Sequence, residues 1–247
     1  MDTPTSAVLL PAPLPAILCL HGAGTSGLIF RLQARTFLRL LQSRFRFIFV
    51  DAPFESLPGP GALPTYADMK PYLWWHCDEA SAGRFDISLE EIRRRRREVR
   101  GLLAKELADP DVVGIMAFSQ GARVATGLCL DEELGRRIKF AVLFAATFPA
   151  LEIGEAGSSG SRSMSNSDPD ADTVTPSLAK LNIPSVHVQG TSDPWAAEGD
   201  RLKTTYFAES FATLVRFAGG HTCPVAKDDA ERVVKAVVAA WRLAKAL

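Results

Sequence analysis

Short apolar runs alternate with amphipathic stretches along most of the chain, and this alternation restricts the fold more than any other feature. The runs lack strict two-residue alternation, which is typical of strands covered on both faces, as in a parallel sheet. The stretches between them have helical periodicity, and the last one places Val233, Val237 and Trp241 on one face. The pattern predicts an α/β layer fold, with a mostly parallel sheet of about six strands and helices on both faces.

The predicted strands and helices largely alternate along the chain. Strands are predicted at Ala16–Leu20, Phe45–Val50, Val112–Phe118, Phe140–Ala145, Ser185–Gln189 and Thr213–Phe217. Helices are predicted at about 28–43, 88–108, 120–130, 198–211 and 225–246. With 247 residues, 47% of them hydrophobic, the chain can bury a sizeable core, and we expect a single domain over 1–247.

Two segments interrupt this order. The stretch 52–87 is rich in proline and tryptophan, and 152–176 is rich in Ser, Gly and Asp. Each follows a predicted strand, where ligands bind in open α/β sheets, so we expect lid or pocket insertions at about 52–87 and 146–180. Because 152–176 has few apolar residues to bury, we expect it to be mobile and the first site of proteolysis.

Charge and cysteine content exclude several classes of protein. Lys plus Arg equals Asp plus Glu at 28 each, which gives no reason to expect nucleic acid or an acidic membrane as a partner. The four cysteines have no C-x-x-C spacing, so neither a zinc cluster nor a disulfide framework is predicted. The N-terminal apolar run is broken by prolines, and we expect a soluble cytoplasmic protein.

The helix predicted at 88–108 carries five consecutive arginines, Arg93 to Arg97. Ser88 followed by Glu91 is a capping-box start. The arginines cannot share one face, and Arg96 falls within the apolar stripe. One interpretation is a solvated helix in which Arg96 is paired with an acid or extends to solvent; the other is a basic docking patch for an acidic carrier protein.

The stretch Ala117-Phe118-Ser119-Gln120-Gly121 lies between a predicted strand and a predicted helix. A nucleophile elbow reads G-x-S-x-G, because small residues let the backbone turn tightly and raise the serine above the sheet. Alanine is the least disruptive substitute for the first glycine. Ser119 is therefore either an activated nucleophile or a helix-capping serine.

A serine nucleophile needs a histidine base and an acid that orients it, and in α/β-hydrolases the chain order is Ser, acid, His. His221 lies after the last predicted strand, as this order requires, whereas His187 within a strand is more typical of a core residue. Asp193 directly follows a strand and is the predicted acid, with Asp200 as the second choice.

The loop "CLHGAGTSG" supplies a candidate oxyanion hole. Its glycines let backbone amides turn inward, and we predict that the N–H groups of Ala23 and Gln120 bind the oxyanion. No P-loop lysine follows Gly27, which disfavours a P-loop nucleotide site. Four side chains are predicted to line the substrate pocket: His21, Phe54, Trp74 and Trp75. The alternative for the two tryptophans is that they pack their loop onto the body of the domain.

Five stretches together resemble the family of serine hydrolases, a small fungal and eukaryotic α/β-hydrolase group. They are "LCLHGAGTSGLIFRLQ", "FIFVDAPFE", "FSQGARVA", "VQGTSDPW" and "GGHTCP", and they extend over nearly the whole chain. The resemblance implies a triad of Ser119, Asp193 and His221. Some members resemble stand-alone thioesterases or esterases of fungal polyketide pathways, which release an acyl product from a synthase. The chain departs from the family at Ala117, where glycine is usual.

The sequence therefore predicts a serine hydrolase that cleaves an ester or thioester of a largely apolar acyl group, without metal or organic cofactor. A small-molecule ester or an acyl carrier domain is the expected partner. Two alternatives remain: an acyltransferase that uses the same triad, and a non-catalytic ligand receptor with an α/β-hydrolase fold.

Overall fold

A computed structural model of the chain describes residues 13–59, 62–74, 88–153 and 180–247. The strands are β1 Ala16–Leu20, β2 Arg46–Val50, β3 Phe54–Glu55, β4 Tyr72–Leu73, β5 Val112–Phe118, β6 Phe140–Phe144, β7 Ser185–Gly190 and β8 Ala212–Phe217. The main sheet has six parallel strands in the order β2-β1-β5-β6-β7-β8, and β3 and β4 form a separate antiparallel pair. The predicted mostly parallel sheet of about six strands is confirmed.

Helices cover the sheet on both sides. They are α1 Gly27–Gln33, α2 Arg35–Leu41, α3 Leu89–Leu107, α4 Gln120–Leu130, α5 Ala196–Tyr206 and α6 Lys227–Ala244. Alternate residues of β1 show the division, because Leu18 packs with α3, α4 and α5 whereas Ile17 packs with α1, α2 and α6. Both faces of the central strands are therefore buried, which explains their unbroken apolar character.

Two helix predictions differ from the structure in extent. The helix predicted at 28–43 is two helices that meet at Ala34, which has φ −85° and ψ −3°. The helix predicted at 198–211 ends at Tyr206, because Phe207 turns to extended backbone and buries its ring in the core. A bridge between Phe207 and Leu181 holds this turn.

The order of the strands determines where a site can form. From β1 the chain moves outward to β2 and then crosses to β5, on the other side of β1. The carboxyl ends of β1 and β5 are therefore neighbours at the point where the winding direction reverses, which is where open α/β sheets bind ligands. The loop starting at His21 and the turn at Ser119 both begin there.

The described parts of the two predicted insertions pack onto this edge. Within 52–74, strands β3 and β4 pair, and Tyr72 exchanges backbone hydrogen bonds with the loop after β1. Residues 146–153 lie against α4, where Leu151 N–H donates to Arg123 O at 3.0 Å. The mobility predicted for 152–176 and the pocket role predicted for Trp75 fall almost entirely outside the described residues.

Spanning a bilayer requires a helix of roughly 20 mostly apolar residues. In the described ranges, none of the helices combines the length and the apolar character needed to span one.

Candidate active site

Ser119 occupies a strained turn between β5 and α4. Its backbone has φ 51° and ψ −118°, outside the regions that L-residues normally adopt, and its N–H donates to Phe144 O at 3.0 Å. Within the described helix α4, the Ser119 side chain makes no capping hydrogen bond. Its Oγ lies 2.9 Å from His221 Nε2 instead. This geometry is that of an elbow serine rather than a helix cap.

The two small residues of the elbow differ in how much space they have. A Cβ on Gly121 would lie 2.5 Å from the carbonyl oxygens of both Leu20 and His21, so only glycine fits beside the loop after β1. Ala117, at the position of the first glycine, is fully buried in β5 between Leu20 and Leu143. The departure from G-x-S-x-G therefore falls where a methyl group is accommodated.

His221 and Asp193 form the next link. His221 Nδ1 lies 2.9 Å from Asp193 Oδ2 and 3.1 Å from Oδ1. The Asp193 side chain is 1% exposed and that of His221 is 18% exposed. The structure thus brings together the three side chains predicted from the sequence. Asp200, the second choice, instead forms a surface ion pair with Arg216 at 2.9 Å.

In the part of the chain that the structure describes, two aromatic rings contact the His221 imidazole. The buried Phe118 ring lies 5.2 Å away between centroids, and the Trp195 ring lies 4.6 Å away in an edge-on arrangement. The Trp195 backbone N–H also donates to Asp193 Oδ1 at 2.9 Å. Trp195 is not among the site residues predicted from the sequence, although its position two residues after Asp193 is a signal.

The loop after β1 passes directly beside the serine. A Cβ on Gly22 would lie 3.3 Å from the Ser119 Cβ. Gly24 has φ +67°, and its N–H donates to Tyr72 O at 2.8 Å. Gln120 begins α4, where the helix dipole favours negative charge. The predicted oxyanion donors, Ala23 and Gln120, thus belong to two backbone segments that adjoin Ser119.

His21 braces this loop from within. Ala52 N–H donates to Nε2 at 2.9 Å, so Nδ1 carries the proton and donates to Gly22 O at 2.7 Å. Burial lowers the pKa of His21 to about 4, which keeps the ring neutral near pH 7. We predicted that His21 contacts substrate, but the structure puts it in the interior, with both ring nitrogens bonded to protein backbone.

Trp74 connects three parts of the site by hydrogen bonds: its own segment, the start of α4 and the loop after β1. Its backbone N–H donates to Gln120 Oε1 at 2.8 Å, and its indole Nε1–H donates to His21 O at 2.7 Å. The side chain is fully buried. This arrangement matches the alternative in which the tryptophan packs its loop onto the body. It also ties the residue after the nucleophile to the loop after β1.

The remaining predicted residues lie around this centre. Phe54 is largely buried beneath the Arg95 guanidinium, which lies 5.0 Å from the ring centroid. His187 is a core residue, as its place within a strand indicated: its Nε2 is 3.1 Å from Ser185 Oγ, and burial lowers its pKa to about 3. Among the described histidines, His221 is hydrogen-bonded to Ser119, whereas His21 and His187 are not.

The model of the family described as "Serine hydrolase (FSH1)" matches residues 13–233. The chain belongs to the FSH1 serine hydrolase family. It is therefore a serine hydrolase, and the family resemblance seen in the sequence motifs is confirmed. The match includes Ser119, Asp193 and His221 as well as the loop after β1.

Curated relatives of this FSH1 family member match along almost their whole lengths. The chain is 49% identical to "Thioesterase FSL2" of Gibberella zeae, with 92% of this chain and 93% of the relative covered. It is 32% identical to the "Dihydromonacolin L-[lovastatin nonaketide synthase] thioesterase" of Aspergillus terreus, with 93% of each covered. It is also 32% identical to "Esterase dbaE" of Emericella nidulans, with 93% and 91% covered.

Solved structures agree on the fold of the FSH1 family member. A carboxylesterase from Mesorhizobium loti superposes with a TM-score of 0.55 at 14% identity, covering 91% of this chain and 88% of the other. The Bacillus cereus carboxylesterase gives 0.54 at 20% identity, covering 90% and 89%.

Proposed function

We propose that this serine hydrolase cleaves the ester or thioester of a largely apolar acyl group through Ser119, His221 and Asp193. The observation that carries the proposal is the continuous series of hydrogen-bond distances, 2.9 Å from Ser119 Oγ to His221 Nε2 and 2.9 Å from His221 Nδ1 to Asp193 Oδ2. The names of three relatives, two thioesterases and one esterase, support the choice of substrate class.

In the first half-reaction, His221 Nε2 accepts the proton of Ser119 as Oγ attacks the carbonyl carbon. The Asp193 carboxylate holds Nδ1–H and stabilises the imidazolium that forms. The oxyanion accepts hydrogen bonds from the N–H groups of Gln120 and Ala23, which is worth several kcal/mol in a site of this kind, roughly 3–4 per donor. His221 then protonates the departing oxygen or sulfur.

In the second half-reaction, water attacks the acyl-enzyme and gives its proton to His221. The tetrahedral intermediate collapses, Ser119 Oγ regains the proton, and the carboxylic acid leaves. The same oxyanion donors act in both halves. Trp74 supports them, since its two hydrogen bonds join the Gln120 side chain to the His21 carbonyl.

An apolar acyl group suits the surface next to the loop after β1. Leu57 is 86% exposed, and its carbonyl oxygen would lie 2.9 Å from a Cβ on Gly24. Leu63 in the same segment is also exposed. We therefore propose that the described parts of the first insertion, 52–59 and 62–74, contribute to the wall of an acyl pocket, because such pockets are mostly apolar.

Fluorophosphonate labelling tests the proposed nucleophile. We expect one adduct, on Ser119, because among the described serines its Oγ alone is paired with a histidine that is itself held by a buried carboxylate. Peptide mapping by mass spectrometry locates the adduct, and hydrolysis of esters and thioesters of graded acyl length measures the preference for apolar chains. An adduct on another serine would refute the assignment, and product that accumulates only with an added alcohol or amine would identify a transferase.

We further propose that the N-terminal half of α3 docks an acidic acyl carrier domain. Arg94 and Arg95 are bonded to Glu91 at 2.6–2.8 Å, and Arg96 pairs with Glu152 at 3.1 Å. These ion pairs neutralise much of the positive charge of the five consecutive arginines. Exposed Arg93 and Arg97 have no ion pair among the described residues, and they are four positions apart on one side of the helix.

The position of this helix favours the docking proposal. Arg95 covers Phe54, and Phe54 pairs through β3 with the strand that leads into Trp74. Arg96 contacts Glu152, which lies beyond the carboxyl end of β6. One relative is named as the thioesterase of a synthase, which supports a protein-bound substrate.

Reversing two charges, Arg93→Glu with Arg97→Glu, tests the docking surface. We expect KM for an acyl group on a carrier domain to rise about 3- to 10-fold at low salt, because exposed charges act mainly on association, and the effect to shrink as salt increases. Steady-state kinetics with carrier-bound and free thioesters measures it. Arg242→Glu, on α6, is the matched control. Equal kinetics for both substrate forms would eliminate the docking surface.

A further inference from the structure

Trp195 is a large apolar side chain that remains accessible beside the imidazole. It is 37% exposed, while Phe118, the other ring in contact with His221, is buried. The centroids of the Trp195 and His221 rings are 4.6 Å apart, with 63° between the ring planes. An exposed indole at this distance is available to a molecule bound next to His221.

The proposed reaction determines what that molecule is. His221 Nε2 must give its proton to the departing oxygen or sulfur, so this atom comes within about 3 Å of Nε2 during acylation. The chain attached to the departing atom then extends past the edge of the imidazole. We propose that Trp195 forms the subsite for this leaving group, an alcohol or thiol with an extended alkyl arm. The proposal rests on the proposed function.

The backbone around Trp195 keeps the indole in a fixed relation to His221. Ser192 N–H donates to Gly219 O at 2.9 Å, and a Cβ on Gly190 would lie 2.3 Å from the carbonyl oxygens of Gly219 and Gly220. These contacts lock the loop after β7 against the loop after β8. The bond from Trp195 to Asp193 Oδ1 comes from the backbone N–H, so it survives when the side chain is changed.

A leaving-group subsite acts in only one half of the reaction. The alcohol or thiol has departed before water attacks, so the acyl-enzyme no longer contacts the subsite through the substrate. Trp195 therefore contributes to acylation in proportion to the length of the leaving group and contributes nothing to deacylation. A residue that only positions His221 affects both halves and all leaving groups alike.

The test keeps the acyl group constant and varies the leaving group. Methyl, butyl and octyl octanoate are compared in the wild type, Trp195→Phe and Trp195→Ala. We expect kcat/KM for octyl octanoate to fall about 10- to 100-fold in Trp195→Ala, the effect of losing contact with two or three methylene groups. For methyl octanoate we expect a change below about 3-fold. Trp195→Phe retains an aromatic ring and keeps most of the preference.

Deacylation is measured separately, as the decay of the octanoyl-enzyme formed with p-nitrophenyl octanoate and followed by mass spectrometry. We expect the same decay rate in the wild type and in Trp195→Ala. Leu243→Ala, which removes another exposed apolar side chain, is the matched control for surface truncation. Equal losses with methyl and octyl esters, or slower deacylation, would overturn the subsite. Failure of the proposed function itself would appear in the wild type, as a fluorophosphonate adduct away from Ser119.

Discussion

Replacing Ser119 with alanine is expected to lower kcat/KM for esters and thioesters by about 10⁴-fold or more, since no covalent acyl-enzyme forms. His221→Ala should cause a loss of similar size. The double variant should lose no further activity, because the two side chains act as one unit at a distance of 2.9 Å. Initial rates under kcat/KM conditions measure all three.

The matched control is Ser43→Ala, which removes an exposed hydroxyl after α2 and should leave the rate unchanged within about 2-fold. Thermal unfolding should show that each variant retains its fold, because Ser119 and His221 are only partly buried and neither belongs to the apolar core. Losses in the double variant that equal the product of the single losses would mean that Ser119 and His221 act independently.

Asp193→Asn is expected to reduce kcat by roughly 10²–10⁴-fold, while Ser119 remains reactive towards a fluorophosphonate at a reduced rate. The buried carboxylate accepts from His221 Nδ1–H, and an amide in its place lacks the charge that stabilises the imidazolium. The ring also loses the partner that fixes its tautomer. Steady-state kinetics and the rate of inactivation by the probe measure the two effects.

Asp200→Asn provides the control for this variant, because Asp200 is a surface carboxylate paired with Arg216. Its effect should stay within about 2-fold, since exposed ion pairs contribute little. Near-normal activity in Asp193→Asn, with a large loss in Asp200→Asn, would transfer the orienting role to Asp200.

The order of the elements could be predicted because each buried strand has its own apolar run. The end of α5 could not be predicted, because Phe207 adopts an extended backbone and packs in the core beside Leu181 and its neighbours. The break at Ala34 has no glycine or proline to mark it. Strands β3 and β4 have only two residues each, too few for any periodicity.

The candidate site could be predicted where chain order limits the choice, as it does for Ser119, Asp193 and His221. Whether the residues around the triad line a pocket depends on the direction in which each side chain points. His21 and Trp74 look like pocket residues in a glycine- and tryptophan-rich sequence, yet their polar atoms bond inward to backbone and to Gln120. Such bonds join residues far apart in sequence, and no local pattern contains them.

The unequal crowding at Ala117 and Gly121 also has a consequence for how such elbows can diverge. At position 121 a single methyl group would collide with two carbonyl oxygens at 2.5 Å, whereas position 117 already carries a methyl group in a fully buried strand. Substitution of glycine by alanine is therefore tolerated at position 117, on the strand side of the serine, and excluded at position 121, on the helix side. A search pattern that demands glycine at both places passes over enzymes of this kind, and one that reads [GA]-x-S-x-G retains them.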